Sequence, residues 1–550
     1  MQRVFGRYCR SHWWHGLYAV GAGFFIAFSL PPKIAPGMYW ISLVPFLLIL
    51  TFPTKSGKEL FLLGWLAGVA AVGTYLRWFF DAVPLTWIGI NSYWGSVWLA
   101  VFGWFLPVGY FAIAFGIFLV LARRVVRGTL FDTVSLALLW TLLEYLRTFL
   151  FSFHPLGYGE GTIVGDNMAF ALLGYGLADN DALRQFSAIG GVYFLSFLVA
   201  LPNMFIFVII RDFFQHRLER RIRPVLFFSA LLLLVFIALT FLGRLIGTRF
   251  YEPKSMVRIA LVQAAFFPEE WVKPGYIARA EATYKRLMRE TAALDPPADI
   301  IAVPESAVLF PQIPLTDEKS RHDKLGEFLS PVKRQILLTK WEHVPNALKP
   351  RNTTAVFDNQ RGVIGLYEKQ FLMPYGEYLP YAIQWMAKVI DGGAWLERNR
   401  QLRWYESGSG AGVFSSPFGK IGLLTCSEIL SPNLNIKTVA AGAEILMYTA
   451  SDAILRGSPV LHAQNIAMAR INAAGTRRAL SYVSSGERSF MLDPFGKIVL
   501  ESPDLSERVI TAELHTNDII TPAVRYRNWF LFFAFIVLAV WWKLPGQKNA

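Results

Sequence analysis

Eight stretches of the chain consist almost entirely of apolar residues. Most of them approach the length of about 20 residues that a helix needs to cross a bilayer. Seven follow one another in the first 245 residues and one lies near the C-terminus: 16–33, 38–53, 59–80, 93–121, 130–151, 187–210, 224–243 and 528–545. The second stretch is short and needs a tilt as well as its Trp40 end to span. The pattern predicts a helical membrane bundle of about eight spans.

The region between the seventh and eighth spans has a different pattern. Two segments have helical spacing, 276–294 and 462–479. Short apolar runs typical of strands lie around them, and one pair is predicted to form a hairpin: 257–265, 299–304, 334–338, 353–357, 363–366, 420–425, 444–449 and the hairpin 489–500. Strands interleaved with helices favour an α/β sandwich. The predicted organisation is a seven-span domain (1–245), an inserted domain (246–525) and a last span with its tail (526–550).

The composition of the chain argues against an ordinary soluble enzyme. Hydrophobic residues make up 54% of the chain and charged residues only 17%, whereas soluble domains have about a quarter charged residues. The two cysteines, Cys9 and Cys426, are far apart and form neither a disulfide framework nor a metal-binding pair.

The basic residues that give the net charge of +14 cluster in alternate connections. They precede the first span, follow the second, fourth and sixth, and end the chain: Arg3, Arg7, Arg10, Lys55, Lys58, Arg123, Arg124, Arg127, Arg211, Arg217, Arg220, Arg221, Arg223, Lys543 and Lys548. Because Lys and Arg are retained on the cytoplasmic side, this pattern predicts that residues 246–525 lie outside the cytoplasm.

Three chemically useful residues each lie at or just beyond the end of a predicted strand. They are Glu305, Lys369 and Cys426, and strand ends converge at one edge of such a sheet. A glutamate can accept the proton of a thiol, and a lysine can favour the thiolate and stabilise an oxyanion. Residue types alone leave other interpretations open, namely a small buried Cys, a capping carboxylate and a surface charge.

The motifs around these residues resemble a known family. The segments PES (304–306), KQFLMPYGEYLP (369–380) and LTCSE (424–428) are similar to the nitrilase-type Glu-Lys-Cys hydrolases, and most specifically to their membrane branch, the apolipoprotein N-acyltransferase family. The N-terminal half agrees through three further segments: FSLPP (28–32), Trp140-x3-Glu144-x2-Arg147 and GVYFLSF (191–197). The resemblance covers nearly the whole chain.

The resemblance implies an α/β/β/α nitrilase-like sandwich inserted before the last span, at the outer face of the cell inner membrane. It implies that Cys426 is the nucleophile, Glu305 the general base and Lys369 the oxyanion-stabilising residue. Glu377 and Glu428 would support the active site, and Trp271 would lie on a lid that contacts substrate. The implied reaction moves an acyl chain from a phospholipid, through a thioester, to the diacylglyceryl-cysteine amine of a bacterial lipoprotein. No metal, cofactor or nucleic acid is implied.

Four positions depart from the family pattern. Ser427 replaces an aromatic residue, Ser451 begins an altered loop, and Asn472 and Gly475 stand where an Arg and a Glu are usual. These changes keep open the same chemistry with another amine or water as acceptor, as in an amidase or lipase. A separate alternative is a membrane protein that only binds lipid or lipopeptide, and the retention of Glu305, Lys369 and Cys426 argues against it.

Overall fold

A computed structural model provides the fold, and it describes most of the chain. The residues described are 12–543 without 55, 89, 156, 215–217, 308, 310–317, 331–332, 342–349, 395 and 398–404. Six of the basic residues used to predict orientation lie outside the described residues: Arg3, Arg7, Arg10, Lys55, Arg217 and Lys548.

Helices occupy the first seven of the predicted apolar runs. They are α1 (His12–Ala27), α2 (Val44–Leu48), α3 (Gly57–Tyr75), α4 (Tyr93–Val125), α5 (Asp132–Phe151), α6 (Ser187–Phe214) and α7 (Leu218–Thr248). Among the described residues, four helical segments are long and apolar enough to cross a membrane: Tyr93–Val125, Asp132–Phe151, Leu183–Phe213 and Ser229–Thr248. Two apolar helical stretches are shorter, Met38–Thr51 and Trp529–Lys543.

Two buried charged residues of α5 bind the backbone of the loop that follows that helix. Arg147 donates to the carbonyls of Phe170 (2.8 Å) and Ala171 (2.9 Å), and Glu144 accepts from the Leu173 amide (2.9 Å). Loop amides and carbonyls buried in an apolar bundle need such partners. The pair therefore anchors the loop, part of which lines the cavity described below.

The inserted region forms two six-stranded sheets. The first has the order β12-β1-β2-β3-β4-β5 and the second the order β11-β10-β9-β8-β7-β6. The strands are β1 (Met256–Gln263), β2 (Ile300–Ala302), β3 (Ile336–Lys340), β4 (Thr353–Asp358), β5 (Gly362–Glu368), β6 (Val413–Ser416), β7 (Gly419–Thr425), β8 (Ile445–Ser451), β9 (Leu480–Ser485), β10 (Phe490–Leu492), β11 (Ile498–Glu501) and β12 (Arg508–His515). The predicted hairpin is the antiparallel pair β10–β11. Strands β6, β9 and β12 were not predicted from the sequence.

The two sheets pack face to face, with helices outside them. Apolar residues of both sheets form one buried cluster, for example Ile259 and Ile300 with Ile421 and Ile445. The remaining helices are α8 (Pro268–Trp271), α9 (Tyr276–Ala292), α10 (Glu318–Gly326), α11 (Tyr381–Asp391), α12 (Pro432–Ala440), α13 (Pro459–Thr476), α14 (Pro522–Tyr526) and α15 (Trp529–Lys543). Helix α9 covers the first sheet, and α12 and α13 cover the second while also packing with the membrane half.

Two fully buried arginines join the sandwich to its flanking segments. Arg477 donates to the carbonyl of Ile246 (3.1 Å) at the end of α7. Arg478 donates to the carbonyls of Ala443 (2.6 Å) and Ile519 (2.9 Å). A pair of adjacent arginines suggests a solvated or lipid-facing surface in the sequence alone, but here both guanidinium groups are 0% exposed and bind backbone carbonyls.

Candidate active site

Cys426 lies at the point where β7 turns into a short helix. Its backbone has φ 46°, a left-handed conformation that costs a non-glycine residue about 1–3 kcal/mol. The turn is held by a capping box in which the Thr425 side chain and the Glu428 side chain each bind a backbone amide of the turn. The strained position therefore carries the only cysteine among the described residues.

The three strand-end residues predicted to act together meet at one edge of the sandwich. Glu305 follows β2, and its amide donates to the carbonyl of Ala450 in the other sheet (3.3 Å). Lys369 follows β5, and its Nζ lies 3.4 Å from Glu305 Oε1. Glu305, Lys369 and Cys426 line the same cavity.

Glu377 is the second carboxylate that pairs with Lys369. Its Oε2 lies 2.9 Å from Lys369 Nζ and accepts from the Met373 amide (2.8 Å), so the loop that carries Glu377 is closed on itself. Lys369 is only 2% exposed, and a buried ammonium needs such partners. One buried cation is thus shared by two carboxylates.

Asn352 is a site residue that the sequence did not reveal. It precedes β4, and its Nδ2 donates both to Glu305 Oε1 and to Glu377 Oε1, the latter at 2.9 Å. The amide therefore holds the two carboxylates on either side of the lysine. A single Asn before a strand carries no motif, and only its position next to the KQFLMPYGEYLP loop in the sheet identifies it.

The electrostatics of the site favour a protonated thiol at rest. Burial raises the pKa of the Cys426 thiol well above its usual value, although Lys369 opposes this effect. Burial alone would lower the pKa of the Lys369 ammonium, but Glu305, Glu377 and Cys426 together raise it well above its usual range. Because the lysine stays charged and the thiol stays neutral, reaction requires a base next to the thiol.

Glu428 lies behind this edge and does not line the cavity. It is fully buried and accepts hydrogen bonds from the amides of Thr425 (2.6 Å), Gln370 (2.7 Å) and Phe371 (3.2 Å) and from the Tyr367 hydroxyl. Burial raises the pKa of this carboxyl to about 7. Glu428 therefore joins the Cys426 turn to the Lys369 loop from behind the cavity wall.

The active-site edge opens into a large cavity shared with the membrane half. The cavity has a volume of about 760 Å³. On one side it is lined by Glu305, Asn352, Lys369, Glu377 and Cys426. On the other it is lined by apolar residues of the membrane half, which include Trp78, Phe79, Leu99, Ala100, Gly103, Leu106, Pro107 and Phe170. A thiol at the end of an apolar cavity is suited to an acyl chain.

Trp271 lies where these two walls meet. It ends α8, lines the cavity, and packs edge-to-face on Trp87 of the membrane half at a centroid distance of 6.4 Å. Its Nε1 donates to the carbonyl of Phe266 (2.9 Å). In the same short helix, Glu269 pairs with Arg456, which also donates to the carbonyls of residues 81 and 84. The structure therefore places the predicted lid residue at the cavity.

Two of the four departures from the family pattern reach the cavity. Ser427 and Ser451 line it, and the Ser427 hydroxyl donates to the Phe371 carbonyl (2.8 Å). Asn472 and Gly475 are buried on α13 away from the cavity, with Asn472 facing the Ile429 carbonyl and Gly475 facing Ser187.

Comparison with known proteins agrees with this geometry in both halves of the chain. The family model for the apolipoprotein N-acyltransferase N-terminal domain matches residues 22–205, and that for carbon-nitrogen hydrolases matches residues 258–521. The apolipoprotein N-acyltransferase of Geobacter metallireducens is 28% identical over 91% of this chain and 89% of its own length. That of Pseudomonas putida is 23% identical over 98% of both chains.

The chain belongs to the apolipoprotein N-acyltransferase family. As a member of this family, the chain is an acyltransferase, and its residues 258–521 match the carbon-nitrogen hydrolase domain. Together with its four long apolar helices, it makes the chain a membrane protein.

Proposed function

We propose that this enzyme takes an acyl chain from a phospholipid, holds it as a thioester on Cys426, and transfers it to the N-terminal diacylglyceryl-cysteine amine of a lipoprotein. The observation that carries the proposal is the meeting of Glu305, Lys369 and Cys426 at the end of a cavity whose opposite wall is apolar and belongs to the membrane half. Both substrates have acyl tails in the bilayer, and such a cavity admits them.

In the first step the Cys426 sulfur attacks the ester carbonyl of the phospholipid. Glu305 takes the thiol proton and passes it to the departing alkoxide, which leaves as a lysophospholipid alcohol. Lys369, fixed between two carboxylates, stabilises the oxyanion of the tetrahedral intermediate. The C–O ester bond is replaced by a C–S bond, and no proton is gained or lost overall.

In the second step the lipoprotein amine attacks the thioester carbonyl. The C–S bond breaks as the C–N bond forms, and Glu305 returns one proton from the amine to the Cys426 sulfur. Glu377 and Asn352 keep Glu305 and Lys369 in position through both steps. Amide formation from a thioester is downhill, so this route needs no ATP, metal or other cofactor.

The membrane arrangement is part of the same proposal. All eight apolar runs cross the cell inner membrane: seven in residues 1–245 and the eighth in residues 526–550. The catalytic domain, residues 246–525, then lies on the periplasmic side. The alternation of basic connections supports this orientation, and lipoproteins that have been exported would meet the enzyme there.

Intact-mass measurement tests the function in two stages. The purified protein is incubated with a defined diacyl phospholipid, and a synthetic diacylglyceryl-cysteine peptide with a free α-amine is then added. We expect a mass increase of one acyl chain on Cys426, followed by its loss and the appearance of a triacylated peptide. An adduct lost only to water or to another amine would indicate the amidase or lipase alternative. The absence of any adduct would indicate a binding protein.

A further inference from the structure

A second polar cluster begins at the cavity wall next to Cys426 and runs through the interior of the second sheet. We name Asp452, Tyr482, Glu487, His462 and Glu501 the acid–histidine chain. The Tyr482 hydroxyl donates to Asp452 Oδ2 (2.9 Å) and lies 3.5 Å from Glu487 Oε2. The two ring nitrogens of His462 bind different carboxylates: Nδ1 lies 2.8 Å from Glu487 Oε1 and Nε2 lies 2.9 Å from Glu501 Oε1.

The chain connects the cavity with the solvent. Asp452 and Tyr482 line the cavity. The side chain of Glu487 is 2% exposed and that of His462 is 6% exposed. At the far end, the Glu501 side chain is 23% exposed and pairs with the half-exposed Arg488 (2.9 Å). The hydrogen-bonded groups therefore form a path from the cavity wall to the surface.

This cluster is costly to bury. Buried carboxylates are expensive unless they are paired and hydrogen-bonded, and in this cluster Glu487 has His462 as its basic partner. Burial and the neighbouring Glu487 raise the pKa of Asp452 well above its usual value. Burial alone would lower the pKa of His462, but Glu487 and Glu501 raise it. Both shifts favour the protonated form, so Asp452 and His462 can each hold a proton within the hydrogen-bonded chain.

When the acceptor amine arrives protonated, the second half-reaction releases one proton more than the Cys426 sulfur takes back. An α-amine with a pKa of about 7.8 arrives mainly as an ammonium below that pH. Conversion of thioester and ammonium into amide and free thiol returns one proton to sulfur and releases one more. The first half-reaction has no such surplus, because the thiol proton leaves with the lysophospholipid. Each turnover with a protonated acceptor must therefore export one proton from a buried site.

We propose that the acid–histidine chain exports this proton from the acceptor ammonium to solvent, an inference that rests on the function proposed above. Asp452 accepts the ammonium proton at the cavity wall and gives a proton to the Tyr482 oxygen, while the Tyr482 hydroxyl gives its own proton to Glu487 and Glu487 gives one to His462. His462 gains a proton at Nδ1 and releases another from Nε2 to Glu501. Each transfer breaks one bond to hydrogen and forms another, and no redox partner is involved.

Other polar and charged groups pack against the chain. Asp452 also accepts from the Ser484 hydroxyl (3.0 Å). After burial, the charge of Asp452 is one of the causes that raise the pKa of the Cys426 thiol. Glu487 accepts from Asn465 Nδ2 (2.8 Å). Of the charged groups around it, Arg488 is the cation at the outer end, and it draws negative charge to Glu501.

The decisive experiment separates the two half-reactions of a Glu487→Gln variant. The full-length enzyme is loaded with acyl chain from dioleoyl phosphatidylethanolamine, and discharge onto a diacylglyceryl-cysteine peptide is followed by mass in a single turnover. We expect unchanged loading, and discharge slowed about tenfold or more at about pH 6.5, where the α-amine is protonated. At about pH 9, where the amine arrives neutral, discharge should approach that of the unaltered enzyme.

Hydroxylamine provides an internal control, because it is neutral at both pH values and should discharge the variant thioester at the normal rate. Glu444→Gln, a carboxylate of the same sheet outside the chain, should alter neither half-reaction. If Glu487→Gln misfolds, His462→Gln replaces it. A solvent deuterium effect on discharge by the unaltered enzyme, larger with the peptide at low pH than with hydroxylamine, provides a test without any variant.

Equal discharge by Glu487→Gln and the unaltered enzyme at both pH values would overturn the proton path. Equal slowing with the peptide and with hydroxylamine would also overturn it, since that result indicates a structural defect. If the unaltered enzyme never forms a thioester, the proposed function itself fails, and the inference fails with it.

Discussion

The two walls of the cavity are built on opposite principles. The wall from the sandwich holds Glu305, Lys369, Glu377 and Asn352 in one hydrogen-bonded set around Cys426. The facing wall, from α4 and the segments around it, consists mainly of aromatic and aliphatic side chains. The first wall is a set of hydrogen-bonded polar side chains, whereas the second is mainly a packed apolar surface.

From this difference we expect the polar wall to carry out the acyl transfer and the apolar wall to select the acyl chain. Removal of one member of a buried charged set leaves the others uncompensated, so changes in the polar wall should stop the reaction for every substrate. Changes in the apolar wall alter only the shape available to an acyl chain, and they should discriminate between donors.

Cys426→Ala should give the largest effect from the polar wall. Without the sulfur no thioester can form, so acyl transfer should fall to the background rate for all phospholipids and all acceptors. Mass measurement of the protein after incubation with phospholipid checks this result, and retention of the protein in the membrane fraction controls for folding. Product formation at the normal rate would show that Cys426 is not the nucleophile.

Glu305→Gln should lower the rate of thioester formation by about 10²–10⁴-fold, the usual contribution of a general base. Gln keeps the size of the side chain and a carbonyl that can accept from Asn352 Nδ2, but it cannot take the thiol proton. Lys369 would retain Glu377 as its partner, so the local structure should survive. The rate of thioester formation by mass is the measurement.

The residual activity of Glu305→Gln should depend on pH in a defined direction. Because burial raises the pKa of the Cys426 thiol, the thiolate fraction is small at neutral pH and rises about tenfold per pH unit below that pKa. The activity of the variant should therefore rise with pH more steeply than that of the unaltered enzyme. A pH-independent residual rate would indicate that another group acts as the base.

Gly103→Phe should change donor selection through the apolar wall. Gly103 lines the cavity from α4, and a Cβ atom added there meets nothing within 4 Å, so a ring can enter the cavity without displacing the backbone. We expect transfer from long-chain phospholipids to fall about tenfold, as for a few methylenes of lost contact, while short-chain donors are spared. Competition between donors of two chain lengths measures the ratio.

Gly21→Phe is the matched control for this variant. Gly21 is exposed on α1, and it too has nothing within 4 Å of an added Cβ, but it is not part of the cavity. The control should leave the donor ratio unchanged. An equal loss for short and long donors in Gly103→Phe would contradict the separation of the two walls.

The sequence predicted the polar wall well for a physical reason. Glu305, Lys369 and Cys426 each follow a strand, and strand ends come together however the connecting helices run. The sequence predicted that Glu428 supports the active site, but it did not show which groups Glu428 contacts. In the structure Glu428 accepts hydrogen bonds from the Thr425, Gln370 and Phe371 amides. The sequence places it two residues from the nucleophile but does not show that it points away from the cavity.

Other features could not be predicted because they depend on long-range contacts. β12 pairs with β1 across most of the inserted domain, and its alternation of exposed and buried residues is weak. Asn352 matters only because β4 and β5 are neighbours. The acid–histidine chain joins α13 to residues 25 and 39 positions further along, so none of its members has a local signature.

Trp271→Ala should give the smallest effect, because this residue joins the two walls without belonging to the chemistry of either. Its ring packs on Trp87, and an aromatic pair contributes about 0.5–1.5 kcal/mol, so the KM for phospholipid should rise about two- to tenfold. The rate at saturating phospholipid should change little, since no contact to Cys426 is lost. Steady-state kinetics with varied phospholipid measures the two parameters separately.

Trp271→Phe distinguishes packing from hydrogen bonding at this position. Phe keeps a ring against Trp87 but loses the bond from Nε1 to the Phe266 carbonyl. If packing between the walls sets the KM, Trp271→Phe should lie closer to the unaltered enzyme than Trp271→Ala. A fall in the saturated rate comparable to that of Glu305→Gln would instead show that the junction of the walls takes part in bond-making, and the separation drawn between them would be lost.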